Sequence, residues 1–167
     1  QALHLEPTNI CTLQCPKCPR TLFNEMFPKK WSNKNLNLDE LKKFLDIDLH
    51  NKIVHLNGNY GDPIYYPKLI ELVTFLKSQG AKLAITTNGS YRNIDWWEEL
   101  AALMDHSDLI NFSIDGTPEN FTKYRINADW KSIRTGIDVM VNSSVTVDWK
   151  CILFSYNEND IEEIQSL

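Results

Sequence analysis

The sequence predicts an α/β fold built on a parallel sheet. Three observations carry that expectation. Short apolar runs of strand length alternate with segments of helical period along the 167 residues. A helix between successive strands supplies the crossover that parallel neighbours need. Polar, glycine-bearing loops follow the C-terminal end of each strand, the edge where ligands bind in parallel sheets and barrels. The length suits one domain, 1–167, with a real core.

The elements follow in order. Leu3–Glu6 reads as a strand running into Pro7. Asn37 can cap a helix over Leu38–Leu49, with Asp39 and Glu40 in its first turn. Lys52–Leu56 is a strand, and Gly58–Pro63 is a loop of turn-forming residues. Pro67–Gln79 carries Leu69, Leu72, Val73 and Leu76 at helical spacing and closes on Gly80. Lys82–Thr87 is a strand ended by Asn88-Gly89. Ile94–Met104 is a helix, and Leu109–Ile114 a strand ended by Asp115-Gly116. Asp129 caps a helix to about Met140, Val145–Phe154 is a fifth strand, and a last helix starts near Glu158. Five strand–helix units result, with no sixth strand.

Composition excludes several classes. Hydrophobic residues make up 43% and charged ones 23%, as in soluble globular chains. The net charge of −5 argues against a nucleic-acid binder. No apolar run approaches a membrane span, and no signal peptide is visible. Three of the four cysteines fall within eight residues, too close for ordinary bridging, so a reducing cytoplasm is the expected compartment.

Those three, Cys11, Cys15 and Cys18, follow the first strand at a C-x-x-x-C-x-x-C spacing. Thiolates this close can hold three irons of a cubane cluster. The fourth iron then has no protein ligand, which leaves a coordination site that a small molecule can chelate. Zinc is the competing metal, but a structural zinc site asks for four ligands, and His4 and His55 stand at no familiar spacing. Three reduced cysteines without metal are the remaining alternative.

The stretch EPTNICTLQCPKCPR resembles the cluster loop of the radical S-adenosylmethionine (SAM) enzymes. Further segments resemble that superfamily in order along the chain. HLNGNYGDPIYYPKL is similar to the loop usually written GGEP, and ITTNGSY to the Thr-Asn-Gly turn of the branch that modifies peptides and proteins. NFSIDG, FTKYRINADWKSIRTGI and FSYNEND resemble three later segments of the same branch.

The resemblance implies a partial (β/α) barrel of the radical SAM type, reduced here to five units. It implies a [4Fe–4S] cluster on Cys11, Cys15 and Cys18, and S-adenosyl-L-methionine chelating the open iron. It implies reductive cleavage of SAM to methionine and a 5′-deoxyadenosyl radical that takes a hydrogen atom from a substrate, with flavodoxin or ferredoxin as electron donor. The substrate it favours is a peptide or protein. A small molecule, nucleotide or RNA is the alternative, as is a non-catalytic iron–sulfur or zinc module.

Site residues follow from the same motifs. Gly61 and Asp62 would present backbone carbonyls to the SAM ammonium, with the Asp62 carboxylate as a further contact, Asp62 standing where the family has Glu. Ser113 and Asp115 would lie near the ribose, and Arg125 would pair with the carboxylate. Asn88 and Asn157 complete the set. Lys17 stands where the family has an aromatic residue beside the adenine. Cys151 shares a strand face with Trp149 and would be a hydrogen-atom donor if that face lined the barrel. Lys17, Arg20, Lys29, Lys30 and Lys34, interleaved with Phe23, Phe27 and Trp31, read as a basic loop with aromatic anchors.

Overall fold

A computed structural model of the chain describes residues 2–167. The elements are β1 (Ala2–Leu5), α1 (Pro19–Met26), α2 (Leu38–Phe44), β2 (Ile53–Leu56), α3 (Leu69–Ser78), β3 (Lys82–Thr87), α4 (Ile94–Leu103), β4 (Leu109–Ser113), α5 (Trp130–Val141), β5 (Thr146–Lys150) and α6 (Ile161–Ser166). The five strands form one open sheet in the order β1-β2-β3-β4-β5. Every neighbouring pair is parallel.

Alternation along the strands separates the two faces of the sheet. Leu5, Leu56, Ile85, Ile110 and Val147 are in register across all five strands. With Val54, Leu83 and Phe112 on the same face, they pack against Leu69, Leu72, Val73 and Leu76 of α3, Trp97 and Leu100 of α4, and Ile133 and Met140 of α5. Trp97 is fully buried beside Phe112, while its neighbour Trp96 is half-buried. The opposite face is polar: His4 is in register with His55, and Thr86 with Asn111 and Asp148.

The helix ends obey local chemistry. The Asn37 side chain accepts from the N–H groups of Asp39 and Glu40, and the Asp129 carboxylate from that of Ser132. At the end of α3, Gly80 takes φ +80°. Its N–H donates to Lys77 O and that of Ala81 to Leu76 O, the double bond of a Schellman motif.

Four differences from expectation exceed two residues. Residues 19–26 form a helix where a loop is predicted; Pro19 at the first helical position is the signal, since its missing N–H costs nothing there. Helix α2 ends at Phe44 rather than Leu49. Leu45 and Leu49 keep the apolar spacing because both are buried, but Asp48 accepts from His50 N and makes a turn. Strand β5 ends at Lys150 rather than Phe154, because Ile152 N donates to the Asp115 carboxylate instead of continuing a ladder. Helix α6 starts at Ile161.

One buried ion pair braces the sheet edge opposite the site. The Asp108 carboxylate has no exposed surface and accepts from Lys77 Nζ at 2.7 Å, Leu83 N at 2.7 Å and Asp105 N at 2.9 Å. Asp108→Ala would leave two backbone donors without their acceptor and the Lys77 ammonium with Asp105 alone. A loss of about 3 kcal/mol in urea unfolding is expected. A variant within about 0.5 kcal/mol of the parent, the range of neutral surface changes, would show that water replaces the carboxylate freely.

Candidate functional site

The site forms where the loops after the strands meet. The segment after β1 is fastened to residues 32–36. Leu36 N donates to Pro7 O at 2.8 Å, Asn9 N to Lys34 O at 3.1 Å, and the Asn9 side chain bridges Ser32 O and Lys34 N. The loop after β2 docks onto it at Gly61, where a Cβ would lie 2.2 Å from Thr8 O and 2.8 Å from Asn9 Cα. Both are backbone atoms, so only glycine fits. Asp62 N then donates to Ile10 O at 3.0 Å. Beyond Ile10 the cysteine loop turns at Cys15, whose carbonyl accepts from Cys18 N, and Arg20 reaches back to Leu13 O.

A cavity of about 320 Å³ opens at this edge, within the size range of small-molecule sites. Cys11, Cys15 and Cys18 share it with Lys17, Gly61, Asp62, Asn88, Ser113 and Arg125, so the three predicted cluster ligands and five of the predicted SAM contacts meet in one place. All four cysteines are free thiols. Burial pushes the Cys11 thiol up to about 12, with the Asp62 carboxylate adding to it. Burial also raises Cys15, and the Arg125 guanidinium beside it opposes the rise. Thiols of this kind stay protonated until a metal displaces the proton.

The Asp62 carboxylate does not face an incoming ligand. It is 6% exposed. Its Oδ1 accepts from Thr87 Oγ1 at 2.8 Å and Ile64 N at 3.1 Å, its Oδ2 from Asn88 N at 2.7 Å and Asn88 Nδ2 at 2.6 Å. Burial pushes its carboxyl up to about 6 against these four donors. Asp62 therefore ties the loop after β2 to the loop after β3, and it leaves the Gly61 backbone at the cavity wall.

Asp115 is likewise internal, fully buried and absent from the cavity lining. It accepts from Arg125 Nε at 2.6 Å and from Ile152 N at 2.7 Å, which fixes the guanidinium at the cavity wall. Asn157 is buried and braces the chain after β5, accepting from Phe154 N and donating to Ile152 O. Cys151 lies beyond β5, outside the cavity of the other three thiols. It opens instead onto a second cavity with Trp149, Leu153 and Ile164, because the face that Trp149 occupies is the helix-covered one.

Asn57, Thr86 and Tyr124 line the main cavity without having been singled out. Asn57 stands in the quoted motif after β2, and its Oδ1 is buried without a partner in the protein. The aromatic residues after the cysteines stack as anchors: Phe23 on Phe27 at 5.2 Å, Phe23 on Trp31 at 5.7 Å, and Trp31 on Tyr60 at 5.9 Å.

The donor set fits an iron–sulfur cubane. Three thiols ring one cavity, each free to hold a different iron. Among the described residues no three or more His, Cys, Asp or Glu side chains, the three thiols included, are gathered closely enough to hold one metal ion.

Comparison with known proteins shows the family and the fold. The family model described as the radical SAM superfamily matches residues 5–167. A tungsten-containing aldehyde ferredoxin oxidoreductase cofactor-modifying protein of Pyrococcus furiosus is 30% identical over 125 residues, 70% of this chain and 31% of that protein. An S-adenosylmethionine-dependent nucleotide dehydratase of a Thermoplasmatales archaeon is 31% identical over 111 residues, 65% of this chain and 37% of that protein. Among solved structures, anSMEcpe with bound AdoMet superposes with a TM-score of 0.72 at 16% identity, over 99% of this chain and 48% of that one. Streptococcus suis SuiB bound to S-adenosylmethionine gives 0.73 at 15% identity, over 99% and 37%. These structures share the fold. The chain spans about a third of the length of the curated relatives it matches.

Proposed function

The chain belongs to the radical SAM superfamily, and from that premise we propose that it is the core domain of an enzyme that reductively cleaves SAM at a [4Fe–4S] cluster in order to modify a peptide or protein. The observation that carries the reading is the common cavity of Cys11, Cys15 and Cys18 with Gly61, Ser113 and Arg125. When bound, the cluster supplies the electron that breaks the SAM sulfur–carbon bond and yields a 5′-deoxyadenosyl radical.

The chain's own residues bind and orient. The Gly61 backbone carbonyl accepts from the SAM ammonium. The Arg125 guanidinium, aimed by Asp115 through Nε, keeps its remaining donors for the carboxylate. Ser113 at the end of β4 offers a hydroxyl to the ribose. Asp62, Asn88 and Thr87 hold the loops that present these groups. Flavodoxin or ferredoxin is the proposed electron donor.

The peptide reading rests on the structural neighbours. SuiB has also been solved with its precursor peptide SuiA, over a fold matched at a TM-score of 0.64. A nucleotide is the second reading, favoured by the relative named as a nucleotide dehydratase.

Anaerobic reconstitution tests the proposal. Iron and sulfide are expected at about four each per chain, and SAM with a reductant should yield 5′-deoxyadenosine. A cluster without cleavage would leave a non-catalytic module, and binding of zinc alone would overturn the reading. Among the described residues no helix is long and apolar enough to cross a membrane.

A further inference from the structure

Asn88 makes one contact that SAM binding does not account for. Its Nδ2 lies 3.5 Å from Cys11 Sγ and 2.6 Å from Asp62 Oδ2. The orientation of the amide is fixed by its neighbours, since Oδ1 accepts from Ser90 N at 2.8 Å and a carboxylate can only accept. Of the two Nδ2 hydrogens, one is directed to Asp62 and the other to the sulfur. The residue is 5% exposed, so water does not compete for either bond.

We propose that Asn88 is a redox-tuning residue, which donates an N–H···S hydrogen bond to the Cys11 thiolate and raises the reduction potential of the cluster. The inference rests on the cluster reading above. Reduction adds negative charge to the cluster and its sulfurs, and a donor aimed at a ligand sulfur stabilises the reduced state more than the oxidised one. Asp62 acts in the opposite sense, because its carboxylate sets negative charge near the same thiol. Asn88 stands between the two, so its second hydrogen bond also holds the carboxylate in place.

Two substitutions at Asn88 separate tuning from shaping. Asn88→Ser keeps an acceptor for Ser90 N, as hydroxyls do in such turns, but cannot reach Cys11. Asn88→Ala loses both functions. Thr87→Val removes a donor from Asp62 Oδ1 and touches no cysteine. Each reconstituted protein is titrated potentiometrically without SAM, following the electron paramagnetic resonance signal of the reduced cluster.

Both Asn88 variants are expected to hold about tenfold less reduced cluster at a fixed potential. For one electron this is a shift of about 59 mV to the negative side. Thr87→Val should titrate with the parent. An Asn88→Ser protein at the parental potential overturns the inference, as does an equal shift in all three variants, which would mark a general loosening around Asp62. A parent that takes up no cluster overturns the functional reading itself, whereas an intact cluster with an unmoved potential removes only the role of Asn88.

Discussion

Replacing any one of Cys11, Cys15 or Cys18 with alanine is expected to abolish 5′-deoxyadenosine formation and to reduce bound iron from about four per chain to a residual level. The physical reason is geometric. A cubane held by three thiolates has no spare ligand in this cavity, and Cys151, the remaining cysteine, opens onto a different one. Fold stability should change little, since the metal-free chain loses only a small side chain. For the buried Cys15 the cost is about 1 kcal/mol. The pair of measurements, iron content with product formation and urea unfolding of the metal-free protein, separates ligation from packing. A variant that keeps both iron and product formation would remove that cysteine from the site.

Gly61→Ala should act by the opposite route, through the backbone. The added methyl would meet Thr8 O and Asn9 Cα, neither of which can rotate away. The loops after β1 and β2 must then separate, breaking the bond from Asp62 N to Ile10 O and moving the carbonyl assigned to the SAM ammonium. The expected cost is about 3 kcal/mol in urea unfolding, in the upper range for overpacking. The rate of 5′-deoxyadenosine formation should fall about a hundredfold, as for a misplacement of the order of 1 Å. Parental stability in this variant would mean that the two loops are less closely docked than the structure has them.

Much of this was legible in the sequence, and the reasons differ by feature. Strand identity was readable because the central strands bury one face against the helices, which leaves apolar residues at alternate positions such as Val54 and Leu56 of KIVHL and Leu83 and Ile85 of KLAITT. Boundaries were less so. Nothing local marks the end of β5, because Asp115, more than thirty residues earlier, is what captures Ile152 N. The three thiols and the loops after β2, β3 and β4 were found through motifs. Motifs name residues but not the direction in which side chains point. Asp62 was expected to offer SAM its backbone carbonyl and its carboxylate, and Asp115 to lie near the ribose; both carboxylates are engaged by other residues of the protein. Asn57 and Tyr124 escaped notice because a lone Asn or Tyr beside a turn carries no spacing of its own, and only the assembled cavity brings them to the thiols.

The strand order has a consequence in time. Each strand pairs with the one synthesised just before it, and none must wait to be inserted between two others. The sheet can therefore grow strand by strand from its first edge as the chain emerges, with no rearrangement of strands already laid down. The cavity follows a different schedule. Its first wall, the cysteine loop, is made near residue 11, but Arg125 and Ile152 come from the last two units. The cavity is therefore complete only when the chain after β5 is in place, long after its cysteine wall has been made.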